Sequence, residues 1–178
     1  MKKALMCLIA VAAVLLSGAT SARAQAEFAV STNAVEWFVR GGINAGAHLS
    51  FSRHWSVDAD ALYRFGKKGI FETGRELQAY AGARWWPWSS FSGLYVGSGF
   101  KHERWLDEYL LTYKDRTRTG MSLRLGYAIL LHQHFNLEIG AAVWGGIEET
   151  YDEGNDVRVK NGWFRDLDNF RIGLMYVF

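Results

Sequence analysis

Apolar side chains alternate with polar residues or glycine along most of this chain. The rhythm is plainest at the C-terminal end. Phe170, Ile172, Leu174, Tyr176 and Phe178 fall on one face there, and Arg171, Gly173, Met175 and Val177 on the other. Residues 135–143, 119–129, 77–85, 55–65 and 43–51 repeat it, and 28–37 and 92–101 carry a weaker form. Successive side chains of a strand point to opposite faces, so a period of two predicts strands. About eight follow, each of roughly 9 to 13 residues; tilted strands of about 9 to 11 residues cross a bilayer, whereas strands of soluble sheets run about 5 to 6. Connection lengths alternate as well. Those at 52–54, 87–91 and 131–134 are short, those at 66–73, 104–117 and 148–167 are long, and 38–42 is short where a long one is due. Short turns at one rim and long loops at the other suit a barrel that crosses an outer membrane. The expected fold is all-β: an eight-stranded antiparallel transmembrane β-barrel with short periplasmic turns and longer outer loops.

One strand face carries the charges: Asp58, Asp60, Arg64, Glu76, Arg84, Lys101, Arg118, Arg124, Glu138 and Arg171. Arg or Lys turned to lipid at the midplane costs about 2 to 4 kcal/mol each. The charged face therefore points in and the aliphatic face out. Side chains just fill an eight-stranded barrel, and an unpaired charge in that space would be strongly destabilising. The inward charges are thus expected to pair as a polar plug rather than line a pore. Counting back from the 131–134 turn sets Arg124 and Glu138 opposite or diagonal, within cross-strand reach. Trp55, Trp85, Trp86, Trp88, Phe91, Phe135, Tyr176 and Phe178 gather near strand ends, the place of an interfacial girdle. A soluble periplasmic β-barrel ligand binder is the alternative architecture, with the two faces exchanged.

The N-terminal segment reads as an address. Lys2 and Lys3 precede an apolar run at 4–16, and Ala22-Arg23-Ala24 supplies a small-x-small cleavage pattern, with Ala24-Gln25-Ala26 beside it. That run is too short for a spanning helix of about 20 residues. Residues 1–24 are read as a signal peptide and 25–178 as a single outer-membrane barrel domain. The only cysteine, Cys7, falls in the signal, so no disulfide or cysteine metal site is expected. The formal charge of +2 also belongs to it: without Lys2, Lys3 and Arg23, 17 basic face 18 acidic residues, a net of −1. Nothing in that balance calls for nucleic acid. Disorder is excluded by 49% hydrophobic and 15% aromatic content.

Several short motifs carry a resemblance. Thr32-Asn33, Asn44-Ala45-Gly46-Ala47, the turn Ser52-Arg53-His54-Trp55-Ser56-Val57-Asp58, Ala83-Arg84-Trp85-Trp86, Gly126-Tyr127 and Phe135-Asn136-Leu137-Glu138 resemble a family of small bacterial outer-membrane proteins. That family is known as a domain of unknown function, DUF3575. Gly173-Leu174-Met175-Tyr176-Val177-Phe178 ends as its barrels end. More distantly, the layout is similar to OmpA-like barrels. The resemblance implies a barrel and an outer-membrane location, and no activity. It also marks Phe178 as a candidate assembly signal, since a final aromatic resembles what barrel assembly machinery reads.

Reactive chemistry is sparse. His132 and His134 lie two apart with Glu138 near, but no third metal ligand has a matching spacing, and a hydrolase would need Ser, His and acid converging on the lipid side. No P-loop, dinucleotide or zinc-protease motif is present. No catalytic residue, cofactor or metal is expected. The long loops differ from the strands in composition: Trp105, Tyr109 and Tyr113 make one aromatic, and Asp152, Glu153 and Asp156 make another acidic. An i, i+4 spacing in the first allows a short helix, or the strands continue beyond the bilayer. Loops on a rigid scaffold commonly carry binding, so these six residues are candidate contacts for a surface protein or polysaccharide. The expectation is a monomeric, non-enzymatic outer-membrane barrel with a plugged interior, its other partners being outer-membrane lipid and the assembly machinery. A lipid-modifying barrel enzyme is the alternative from another class.

Overall fold

The computed structural model describes residues 27–67, 72–109, 112–152, 157–168 and 170–178. The expected signal peptide at 1–24 lies outside them. Nine strands are present among the described residues: β1 Phe28–Asn33, β2 Gly42–Ser52, β3 Trp55–Lys67, β4 Glu72–Trp85, β5 Gly93–Tyr109, β6 Thr112–His132, β7 Phe135–Asp152, β8 Val157–Leu167 and β9 Arg171–Val177, with one short helix, α1 Ala34–Phe38. Each of β1 to β7 pairs antiparallel with the next, and β9 closes the ring between β7 and β1. β8 and β9 are two halves of one stave. β7 pairs Val143 with Leu167 and Gly140 with Arg171, so the stave carries one extra residue between them. Such a bulge breaks the alternation and re-aims a side chain; here the Asp168 N–H still donates to the Ala142 carbonyl at 2.7 Å. The result is a closed, eight-stave antiparallel barrel.

The alternation sorts the side chains as physical cost demands. Val57, Phe100, Met121, Leu123, Leu125, Val143, Ile147 and Leu174 stand exposed on the outside, while Asp58, Arg84, Lys101 and Glu138 are buried within. Glycines let the narrow wall close. A Cβ on Gly120 would strike the backbone of Gly145 and Gly146 across the β6–β7 pair.

Three expectations are corrected. The segment 28–37 is not one strand: β1 stops at Asn33, whose side chain accepts from the Val35 N–H at 3.2 Å and caps α1. That turn of helix carries Glu36 inward to Arg64, at 2.7 Å. The connection to β2 is then only Val39 to Gly41, with Gly41 at φ +66, a conformation glycine adopts without penalty. Second, the long loops are mostly strand. β5 and β6 continue through 104–117 almost to their tip, with no helix, and β7 and β8 take up much of 148–167. β6 reaches 21 residues, beyond the expected strand length. These tips alternate less clearly because no single face is uniformly buried there. Third, Trp86 and Phe91 leave the girdle for the core, as described next.

Candidate functional site: the barrel interior

Towards the short-turn rim the interior is closed by rings. Trp86 follows the outward Trp85, so alternation sends it inward, where it is fully buried and its indole Nε1 donates to Ser56 at 3.0 Å. Phe91 comes in from the turn with φ +63, a left-handed conformation that costs a non-glycine residue about 1 to 2 kcal/mol. Burying its ring against Trp86, at 5.9 Å between centroids, offsets that cost. Tyr95, Ala29, Ala128 and Met175 complete the cluster. The turn is tied down from both sides: Asn136 donates to the Phe91 carbonyl at 2.5 Å, and the Ser90 N–H donates to the Arg53 carbonyl at 2.8 Å.

Above the rings lies an ionic layer. Arg84, with no exposed surface, donates to Glu138 at 3.0 Å and to Asp58 at 3.2 Å, and its guanidinium rests 4.7 Å from the Tyr95 ring centre. Glu138 also accepts from Tyr95 and lies 3.3 Å from Arg171. Asp60 is held by Arg124 at 2.5 Å and by Arg171 at 3.3 Å. Each charge thus has an opposite charge on another strand, which is what allows charges to be buried. A second layer follows towards the hairpin rim. Arg64 joins Glu36 and Glu76, Gln78 bridges Glu76 and Glu103, and Lys101 pairs with Asp168 at 2.6 Å while its ammonium sits 4.2 Å over Trp144. Arg118 ends the series, with Glu148 at 2.5 Å and Asp166 at 2.7 Å.

A polar cavity of about 90 Å³ separates the layers, lined by Asn33, Glu36, Tyr80, Lys101, Asp168 and Arg171 among others. That is room for several waters. Below it lies the buried aromatic cluster of Trp86, Phe91 and Tyr95.

All nine charges singled out from the sequence as an interior network (Asp58, Asp60, Arg64, Glu76, Arg84, Arg118, Arg124, Glu138 and Arg171) project into the barrel. The pairing expected between Arg124 and Glu138 does not form. Arg124 stands opposite Ala142 and Glu138 opposite Ala128, four residues apart along the stave, and each finds its partner on another strand. Counting back along one hairpin cannot reveal a partner across a narrow barrel. Glu36, Glu103, Glu148 and Asp168 were missed for a related reason: they sit on the helix, the hairpin extensions and the bulge, where alternation is weak or broken. A buried contact between Ser31 Oγ and His48 Nε2, 2.7 Å long, was also illegible. His48 Nδ1 has no hydrogen-bond partner, so the pair lacks the orienting acid of a catalytic triad.

Of the candidate loop contacts, Trp105 is half-buried against Glu103 and under Arg116. Tyr109, Tyr113 and Asp152 fall at strand ends near the hairpin tips. Glu153 and Asp156 lie outside the described residues. His134 Nδ1 contacts the Val177 carbonyl at 2.9 Å and its ring stacks on Tyr176. Phe178 stands outward at the closing seam, where its N–H donates to the Phe28 carbonyl at 2.9 Å.

Closed wall, apolar exterior and charge-packed interior define a small antiparallel β-barrel. The family model described as "Protein of unknown function (DUF3575)" matches residues 8–178, and the chain belongs to that family. No curated protein matches it.

Proposed function

We propose that this protein is a bacterial outer-membrane barrel, exported by the signal at 1–24, that does not conduct and that presents its hairpins outside the cell. The observation carrying this reading is the distribution of polarity. On β3 the outward residues from Trp55 to Phe65 are apolar throughout. Ten steps of about 3.3 Å, tilted by about 40°, give a band about 25 Å tall, the height of an outer-membrane hydrocarbon core. In water the exposed Phe100, Met121 and Leu123 would form a large apolar patch inviting association. Towards the hairpin rim polar outward positions become frequent, at Arg75, His102, Arg104, Thr117, Thr119 and Glu149, among the apolar Leu106, Tyr151 and Trp163.

Two stacked ion-pair layers over an aromatic seal favour a rigid, non-enzymatic scaffold over a channel. The β5–β6 and β7–β8 hairpins then extend well past the band, and we assign them the contact with a surface protein or polysaccharide. Fractionation with detergent extraction, gel mobility before and after boiling, and planar-bilayer recording test the membrane part. A heat-modifiable, detergent-requiring protein with no steady conductance is expected. Water-soluble protein or large stable channels would refute it. Shortening both hairpins tests the contact role and should abolish partner capture from intact cells while leaving heat-modifiability unchanged.

A further inference from the structure

The outward charges of the hairpin-side wall are sorted by height. Where the apolar band gives way they are basic: Arg75 on β4, Arg104 on β5 and Arg165 on β8, with the exposed His102 among them. Among the described residues the outward acids on this side are Asp115 and Glu149, and both stand nearer the hairpin tips. Arg75 faces Leu106 and Arg104 faces Leu77 across the β4–β5 pair, so the two arginines are diagonal neighbours within reach of one another. Asp115, 2.5 Å from Arg104, offsets one of these charges, and Arg75 has no ion-pair partner among the described residues. One positive charge is left over at the edge of the band.

Below this cluster the outer wall is hollow. Ala45 and Ala47 on β2, Ala59 and Ala61 on β3 and Ala79 on β4 are exposed and adjoin in register, whereas the far wall carries Met121, Leu123 and Val143. The five alanines floor a hollow of about 790 Å³ that runs across to Val30, Leu174 and Tyr176. The tilt of the strands, about 40° in such a barrel, sets it under the arginines. A lap of the register that leaves Tyr176 through Val30 returns to the same stave at Arg165, nearer the hairpins, so paired rows climb from β1 to β8. A line dropped from Arg104 into the band therefore moves back across β4 and β3 to β2, over Ala79 and Ala61 and then Ala59 and Ala47.

We infer that this face of the barrel holds a membrane lipid with a net negative phosphate head, its phosphate between Arg75 and Arg104 and its chains in the alanine hollow. This rests on the outer-membrane reading above. Guanidinium groups bind phosphate oxygens through paired N–H donors, and a phosphate set between the two arginines neutralises the excess charge and relieves their repulsion. Attraction of an anionic lipid to an arginine at the membrane surface corresponds to about fivefold for each side chain. Lipid tails gain nothing by leaving one apolar surface for another, so close packing decides where they settle. The alanines let tails lie near the backbone, and the head selects which lipid stays. A second barrel fits the hollow poorly. Tyr63 and Leu77 stand at its upper end and Trp55 and Trp85 at its lower, so a flat wall would rest on those side chains and leave the alanines uncovered, whereas flexible chains follow the floor.

The test uses the mature barrel in phosphatidylcholine nanodiscs doped with phosphatidic acid that carries a photoreactive diazirine on one chain. Labelling should concentrate on peptides 44–61 and 77–83, about tenfold above the far wall at 121–129. The same diazirine on phosphatidylcholine should label all walls evenly. Arg75→Gln should lower the phosphatidic acid signal about fivefold, and Arg75→Gln with Arg104→Gln should bring it to the phosphatidylcholine level. Ala61→Leu with Ala79→Leu, which fills the hollow from the lipid side, should do the same with both arginines in place. Each variant is scored on heat-modifiable protein, and the arginine pair tests the head even where the leucine pair does not fold. Excess inorganic phosphate at matched ionic strength should leave labelling unchanged. Its loss there makes this a site for soluble phosphate and overturns the lipid. Equal labelling by the phosphatidylcholine probe, or labelling indifferent to the arginines, overturns the charged head. Even labelling by phosphatidic acid overturns the site, and a crosslink between two copies at the alanines without lipid label makes the hollow a subunit interface instead. Inserted protein labelled evenly sinks this inference alone; protein that does not enter nanodiscs sinks the membrane reading and this with it.

Discussion

Glu138→Ala is the sharpest perturbation of the interior. Glu138 has no exposed side chain and collects Arg84 at 3.0 Å, Arg171 at 3.3 Å and the Tyr95 hydroxyl. Removing it leaves Arg84 with Asp58 and Arg171 with Asp60. Breaking a buried ion pair from one side costs about 3 to 5 kcal/mol, and the surviving partners hold the loss towards the lower figure, about 3 kcal/mol. Arg84→Met alone should cost a similar amount, because Glu138 keeps Arg171 while Asp58 keeps only Arg124, at 3.5 Å. The double variant should cost less than the two together, by a coupling of about 1.5 to 3 kcal/mol, since neither charge is then left facing an empty place. Urea unfolding in lipid vesicles, followed by tryptophan fluorescence and gel mobility, measures all three. The losses should persist in high salt, because buried pairs are weakly screened. A loss below about 1 kcal/mol for Glu138→Ala, or strictly additive variants, would refute the account of a mutually neutralised layer.

Other consequences are as specific. Trp86→Ala should cost about 3 to 5 kcal/mol, as for a large aromatic removed from a core, read by the same unfolding assay. Gly120→Val should sharply reduce the folded, heat-modifiable fraction, because its Cβ would meet the backbone of the neighbouring stave. Phe178→Ala keeps the N–H to Phe28 bond at the seam, so lower assembly in cells with unchanged refolding in detergent would mark the ring as an assembly signal. Deleting Phe178 removes that bond too and should lower refolding as well.

The sequence disclosed the staves where one side of each strand meets only apolar surroundings and the other only the packed interior. In that stretch, from Trp55 to Phe65 or Phe135 to Val143, a single rule decides every position. It fails at three places for three reasons. At Asn33 a cap competes with the strand, and the charge of Glu36 finds Arg64 only in the folded barrel. At the bulge an inserted residue shifts the phase, so Asp168 lies outside the regular alternation. In the turn at 87–91 a left-handed residue carries Phe91 inward, which no periodicity announces. The inward charges were legible as a set because one face of each strand carries them and the other is apolar, but their partners were not. Arg84 and Glu138 are 54 positions apart and Lys101 and Asp168 are 67 apart, and such pairs become neighbours only through closure.

The asymmetry of the barrel argues where its chemistry must lie. At the short-turn rim, side chains, turns and backbone are tied together: Trp86 and Phe91 pack in the buried cluster, Asn136 holds the Phe91 carbonyl, and the Ser90 N–H holds Arg53 of the 52–54 turn. At the other rim the ion pairs loosen, with Asp166 half-exposed beside Arg118, the strands outrun the apolar band, and one stave gives way to a helix. Regions that bind are drawn from the less constrained parts of a fold, while the sealed end supplies the rigidity they need. Ligands or partners are therefore expected to meet the hairpins, and substitutions in the aromatic seal should change stability without changing what is bound.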